Sequence, residues 1–488
     1  MGALAVNAEL ARSFAAIVPP PTVLADEESL RPFETDGFIV RRALPMMAVL
    51  PDSEHQVGAV VAACHAAGVP VVTRGAGTSV SGGAIPHSEG VLLVVARMRK
   101  LLALDPLGRT ATVEPGMRNL AVSEAAEPHG LFYAPDPSSQ LVCSIGGNVA
   151  ENSGGVHCLK YGFTTHNILA VTGFDGEGER IEIGSQALDA PGYDLLAVVT
   201  GSEGNLAVIT RVTVRLLPLP EATETLLAAF PSVRAAAESV GEIIGAGLIP
   251  AALEMMDRIV IEACEKFMGL GFPADAEALL LAELDGGREE VDEAVSQVRA
   301  ILTRCGATEV RVAADEHARA ELWRSRKGAF TALANIHPDY YTIDGTIPRR
   351  CLPEVLDQVF AMAAEYGLVV GNVFHAGDGN IHPCIFYDAS VPGELEKSEA
   401  MGGRILELCI DVGGTITGEH GVGIEKLRQM CLQFRAPEIA AFHDVKRAFD
   451  PDGFLNPGKA VPSLKRCAEW GGMHVHGGQL PHPGIPRF

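Results

Sequence analysis

Paired cysteines, basic charge and long apolar runs are what this sequence lacks, and aromatic residues supply only 6% of it. Its ten cysteines are scattered without a CxxC pair, which excludes zinc-ribbon and common iron–sulfur spacings and reads as reduced cytosolic thiols. Only 38 basic residues face 61 acidic ones, a net charge of −23 that repels phosphate backbones and anionic lipid surfaces. No nucleic-acid partner and no direct membrane insertion are therefore expected. No stretch reaches about 18 uncharged apolar residues, so no transmembrane helix is expected. The opening MGALAVNAELARSFAAIVPPP has neither the charged region nor the apolar core of a signal peptide, and Val6 breaks the myristoylation pattern. A cytoplasmic location follows as the expectation. The tail MHVHGGQLPHPGIPRF, with His474, His476 and His482, reads as a solvated arm.

A length of 488 residues allows two or three domains, and 47% hydrophobic with 20% charged residues is ordinary for a globular chain. Glycine is abundant at 53 residues, clustered in RGAGTSVSGG, SIGGNVAENSGG and GGTITGEHGVG. Such clusters suit backbone lying close to a ligand better than flexible linkers. Residues 1–41 read as a helical preamble. Alternation of helix and strand then begins with EHQVGAVVAACHAAG and VPVVTRGAGTSVSGG. Around 141–220 the pattern is strand and loop, and the prolines at 218 and 220 mark a domain boundary. Beyond it, 221–425 reads as an α+β unit with an antiparallel sheet, followed by a turn-rich C-terminal segment, 426–488.

Two local patterns carry chemistry. In the loop from Arg74 to Ser79, successive small residues after a strand let backbone N–H groups converge on an anion, although the spacing matches neither the Rossmann nor the P-loop pattern. In FHAGDGNIHP, a two-residue Asp378-Gly379 turn would place His375 opposite His382 on one sheet face, with Cβ atoms roughly 4.5–5.5 Å apart. Such a pair either binds one metal ion or is held by backbone hydrogen bonds, and the pair by itself leaves both open.

Three segments in order, RGAGTSVSGG, SIGGNVAENSGGVHCLKYG and GSEGNLAVIT, resemble the flavin domain of the vanillyl-alcohol oxidase/p-cresol methylhydroxylase (PCMH) family. Together with YAPDPSS, GTIPRR, FHAGDGNIHP, FDPDGFLNPGK and the CAEW…MHVH tail, they resemble the FAD-binding large subunits of bacterial glycolate oxidases, which are glycolate dehydrogenases. The resemblance implies an α+β chain: a two-subdomain PCMH-type FAD-binding domain over 42–220, an antiparallel-sheet cap or substrate domain over 221–425, and a C-terminal segment returning to the flavin domain.

It also implies residue roles. Arg74, Gly75, Ala76, Gly77, Thr78, Ser79 and Gly82 would line the FAD pyrophosphate. Pro135, Asp136, Ser138, Gly146, Gly147, Asn148, Ser153, Gly154 and Gly155 would wrap the ribityl chain and ring. Glu203, Gly204 and Ile209 would face the adenosine, and Asn456 the flavin. Covalent relatives carry a histidine where Thr78 stands, so the FAD is expected to be dissociable. His375, His382 and Glu419 would hold a divalent metal (zinc, manganese or iron), with a coordination position left open for chemistry. His420 would take the substrate's hydroxyl proton, the bland alternative being a cap on the helix that follows. Arg326, and less directly Arg349, would bind the carboxylate of a small 2-hydroxy acid. The implied activity is glycolate oxidation within a complex containing a smaller flavoprotein-like subunit and an iron–sulfur subunit, held at the inner membrane face only through those partners. The alternatives are a stand-alone D-lactate or other D-2-hydroxy-acid dehydrogenase, a metal-dependent hydrolase, and a non-catalytic flavin scaffold.

Overall fold

The computed structural model describes residues 3–187, 191–463 and 467, with no statement of the side chains of residues 3–8. The chain forms two compact units, the first from 1–153, 163–218 and 420–488, the second from 154–162 and 219–419.

The first unit holds two main sheets. One has the order Val23–Leu24, Met47–Val49, Val91–Val94, Val71–Arg74, and its last three strands are parallel. Apart from Thr73 and Arg74 at the end of the last strand, its strands are apolar, as expected where both faces are covered. Helix Glu54–Ala67 buries Val57, Val60, Val61 and Cys64 in the same core as Leu10 and Phe14 of helix Ala3–Ile17, so the N-terminal helix is an integral part of this unit. The other sheet is antiparallel, in the order Leu101–Asp105, Thr110–Val113, Val208–Arg215, Ile168–Phe174, Arg180–Gly184. The C-terminal segment adds to the edge of Val71–Arg74: Val71 N–H donates to Phe454 O at 2.8 Å, and Asn456 N–H to Val71 O at 2.8 Å.

Two expectations need correction in this unit. Residues Ile145–Glu151 form a helix, not a glycine loop. Glycine serves there because a Cβ on Gly146 would stand 2.7 Å from the Pro115 side chain, so packing overrides glycine's weak helix propensity. The cysteines are not all reduced: Cys431 and Cys467 form a disulfide across 36 residues, a pairing that scattered spacing cannot reveal.

In the second unit nine strands form one sheet, with the central order Glu309–Val312, Ala222–Phe230, Ala278–Gly286, Ala252–Asp257, Val369–His375 and every pair antiparallel. Helices Arg258–Met268 and Glu316–Leu333 pack on it through Val260, Cys264, Trp323 and Ala329. Each starts on an aspartate that accepts a backbone N–H: Asp257 from Val260 and Asp315 from Ala318. The excursion 154–162 contributes Val156 to this core. It also delivers His157 to Glu283 at 3.1 Å and Tyr161 to Asp285 at 2.5 Å. Among the described residues no helix is long and apolar enough to cross a membrane.

Candidate active site

Strand Val369–His375 ends on His375, and the chain turns back into Asn380–Ile381 and His382. The pairing is offset from the expected one, because His375 stands opposite Asn380 and Asn372 opposite Pro383. The turn thus spans four residues rather than two. The offset moves His382 by two positions, and side chains alternate with period two, so both histidines stay on one face as diagonal neighbours. Their rings meet edge to face with centroids 5.2 Å apart. Gly379 makes the turn possible at φ +83°, where a Cβ would lie 2.2 Å from Ile347 O.

Both rings aim Nε2 at one atom: His375 and His382 each stand 3.1 Å from Glu419 Oε1. Their other nitrogens face acceptors, His375 Nδ1 lying 2.7 Å from Glu254 Oε1 and His382 Nδ1 3.3 Å from Ile343 O. A neutral imidazole so held carries its proton on Nδ1 and presents the Nε2 lone pair to a carboxylate that is itself an acceptor. Opposed acceptors at such range need a cation between them, a proton or a metal. One ligand atom from each of His375, His382 and Glu419 lies within 4.8 Å of the other two, and all three residues are buried. The donor set fits a divalent ion of the zinc, manganese or iron type. Burial opposes charge on His375, yet the Glu254 and Glu419 carboxylates outweigh it and hold its pKa well above the ordinary value. Burial likewise opposes charge on Glu419, but the two histidines hold its carboxyl well below the usual range.

Three acids that sequence reasoning missed hold this arrangement. Asp344 accepts from Thr417 Oγ1 at 2.6 Å and from the N–H groups of Gly418 and Glu419 at 3.0 and 3.2 Å, fixing the loop that presents Glu419. Asp257 accepts from Asn372 N–H at 2.7 Å and Asn372 Nδ2 at 2.9 Å, tying together the strands that carry Glu254 and His375. Burial pushes the Asp257 carboxyl up to about 6. Glu254 accepts from Arg326 Nε at 2.5 Å through its second oxygen. Arg326, on the inner face of helix Glu316–Leu333, is 1% exposed, and its Nη2 is buried without a hydrogen-bond partner. Arg349 donates from Nη1 to Gly377 O at 3.0 Å, which occupies part of its fork with the turn.

In the first unit, Arg74 does not face outward. Its Nη1 donates to Thr35 O at 2.6 Å, and its guanidinium lies 2.2 Å from where a Cβ on Gly77 would stand, a residue already at φ +73°. Among the described residues, no acceptor meets the backbone N–H groups from Gly75 through Ala76, Gly77, Thr78 and Ser79 to Val80. This row of unpaired donors fits an anion such as the pyrophosphate of FAD. Gly75 borders Ser144, whose Oγ would be 2.2 Å from an added Cβ. Gly146, Gly147 and Asn148 lie on helix Ile145–Glu151, and Asn119 Nδ2 joins Asn148 Oδ1 to Pro135 O at 3.0 Å each. Asp136 is half-buried and Ser138 exposed, while Ser153 O accepts from Thr164 Oγ1 at 2.8 Å. Gly154 and Gly155 belong to the second unit.

The Glu203 carboxylate is engaged within the protein, accepting the N–H groups of Val422 and Gly423 at 2.7 Å each, with Gly204 beside it at φ +69°. Ile209 is buried in strand Val208–Arg215. Asn456 donates to Glu203 O at 2.6 Å and Gly83 O at 3.0 Å, and its buried Oδ1 has no partner. Gly82 packs so closely that a Cβ would meet Ile424 at 2.6 Å. The carbonyl of His420 accepts from Ser81 Oγ at 2.8 Å. The helix that follows begins at Leu427 with Lys426 in the cap position.

Two family models match the chain: FAD binding domain over residues 45–184, and FAD linked oxidases, C-terminal domain, over 219–460. Glycolate oxidase subunit GlcD of Escherichia coli (strain K12) is 56% identical over 471 residues, 96% of this chain and 94% of that protein. A D-lactate dehydrogenase of Anaerostipes hadrus is 30% identical over 468 residues, 94% of this chain and 98% of that protein. The solved structure of p-cresol methylhydroxylase with substrate bound superposes with a TM-score of 0.80 at 17% identity, over 94% of this chain and 98% of that one, and bears out the PCMH-type fold. The chain belongs to the FAD-linked oxidase family that includes the GlcD subunits of glycolate oxidase.

Proposed function

We propose that this chain oxidises glycolate to glyoxylate as the catalytic, FAD-bearing subunit of a glycolate dehydrogenase complex. The observation that carries the reading is a buried His375, His382 and Glu419 triad, with Glu254 linking His375 to the fully buried Arg326. Similarity to the E. coli glycolate oxidase subunit, at 56% identity, supports the substrate.

When bound, FAD supplies the acceptor for the hydride that leaves C2 of the substrate. His375, His382 and Glu419 would hold a divalent ion, which would supply Lewis acidity at the substrate hydroxyl. Arg326 binds the carboxylate through its unpartnered Nη2, a charge-assisted bond of the kind that orients small anions. Burial strengthens that bond and disfavours any substrate that leaves the guanidinium unpaired. His420 takes the hydroxyl proton, so that one hydride and one proton leave the alcohol and the carbonyl product remains. Asp344 keeps Glu419 in place through the backbone of its loop. FAD is held by the unpaired N–H groups of residues 75–80, without a covalent bond at Thr78. Electrons then leave through partner subunits, a smaller flavoprotein-like chain and an iron–sulfur chain, which also account for any association with the inner membrane face.

The test is the visible spectrum of anaerobic holoenzyme before and after glycolate, and of a fresh sample with D-lactate. Bleaching of oxidised flavin by glycolate is the expected result. Bleaching by D-lactate alone would favour the alternative reading, a stand-alone D-lactate dehydrogenase; a protein named D-lactate dehydrogenase is 30% identical to this chain.

A further inference from the structure

We infer that Glu254 is a positioning residue for two groups at once, setting the tautomer of His375 for metal binding and the direction of Arg326 for carboxylate binding. The inference rests on the proposed function, because it assigns these two tasks to one side chain of that site. Strand Ala252–Asp257 reads ALEMMD, and Glu254 is its one acid before the terminal Asp257, which is spent on a helix cap. At 1% exposure such a carboxylate survives in an apolar strand only if both oxygens are satisfied. Both are: Oε1 lies 2.7 Å from His375 Nδ1 and Oε2 lies 2.5 Å from Arg326 Nε.

The consequence for His375 is electronic. An ionised carboxylate accepts and cannot donate, so it fixes the proton on Nδ1 and leaves the Nε2 lone pair aimed toward Glu419. The consequence for Arg326 is geometric. With Nε clamped, the planar guanidinium cannot rotate, and its Nη2 remains the buried donor without a partner. A glutamine at 254 has the same shape but only one accepting end, so its NH₂ must face one of two donors. Neither His375 nor Arg326 can then be oriented without disorienting the other.

The experiment compares wild-type holoenzyme with Glu254→Gln. Its readouts are Mn(II) affinity by equilibrium dialysis, the Mn(II) paramagnetic resonance spectrum, and the inhibition constant of acetate, a carboxylate with no hydroxyl to oxidise. The expected result is Mn(II) affinity weakened about 10–100-fold with an altered spectrum, and acetate binding weakened in the same variant. Should that single variant fail to fold because Arg326 is left unpaired, E254L/R326M removes both charges and keeps the interior apolar. In E254L/R326M the Mn(II) affinity falls by a similar factor, because His375 Nδ1 still lacks its acceptor. Wild-type Mn(II) and acetate constants in E254Q, with only a lowered melting temperature, would show Glu254 to be merely structural and overturn the inference. A wild-type enzyme that takes up none of Mn(II), Zn(II) or Fe(II) overturns the metal in the proposed function, and this inference with it. That outcome is distinguishable because it occurs before any substitution is made.

Discussion

Each unit buries a cluster of ionisable groups, and the two clusters are built on opposite principles. In the second unit every charge meets an opposite or a donor: Glu254 with Arg326 and His375, Glu419 with both histidines. His375 is driven toward its charged form and Glu419 toward its own. In the first unit Asp36, Glu151 and Glu203 gather with Lys426 and Lys459, and burial drives the three acids and Lys459 toward neutrality. Burial and the neighbouring Glu203 raise the Glu151 carboxyl well above the usual range. Burial likewise pushes Asp36 and Glu203 up, and lowers the Lys459 amine to about 8. Glu151 Oε2 is buried with no hydrogen-bond partner, and a Cβ on Gly421 would lie 2.3 Å from it. One cluster therefore meets each buried charge with a counter-charge, whereas the other suppresses charge by burial.

Breaking the charged cluster has the largest expected effect. His382→Ala removes one of the two converging nitrogens, and the expected outcome is loss of bound metal and a fall in flavin reduction by glycolate of more than about 100-fold, beyond the cost of losing an outer partner. Metal analysis and anaerobic stopped-flow absorbance check it. A second test uses pH on another fully paired acid of the same unit. Glu283 accepts from His157, Thr225, Trp323 and Arg319, and although burial opposes it, these partners lower its carboxyl from 4.5 to about 2. Its folded pKa is lowered, so the unfolded chain binds the extra proton, and stability present above 4.5 is lost as pH falls toward 2. The loss amounts to ~3 kcal/mol, and Glu283→Gln should flatten that acid limb in denaturant titrations. The smallest effect belongs to the suppressed cluster: burial and Glu203 raise the Glu151 carboxyl, so Glu151→Gln should cost less stability in denaturant titrations at neutral pH than Glu283→Gln. A large destabilisation in Glu151→Gln would show that acid to be charged and would erase the contrast between the units.

The convergence of His375, His382 and Glu419 was legible in HAGDGNIH and GEHG through their resemblance to a family. The local hairpin argument still missed the register, and it placed both histidines on one face only because an offset of two preserves side-chain parity. Glu254, Asp257 and Asp344 were not legible, since each is a lone acid whose partners are remote in sequence. His375 lies 121 residues from Glu254, and Gly418 lies 74 from Asp344. A signal was nevertheless present in ALEMMD, where an acid flanked by apolar residues in a buried strand demands a buried partner. Helix Ile145–Glu151 was hidden because Gly146 answers to Pro115, a neighbour that no local propensity can see. The Cys431–Cys467 bridge was hidden for the same reason, as spacing does not encode proximity across a folded segment.

The excursion of residues 154–162 into the second unit limits how the gene could have been assembled or can be cut. A segment encoding only 219–419 would specify Glu283 without His157, and Asp285 without Lys160 and Tyr161. Recombination at the obvious seam beside Pro218 would thus exchange a sheet deprived of nine residues of its own lining.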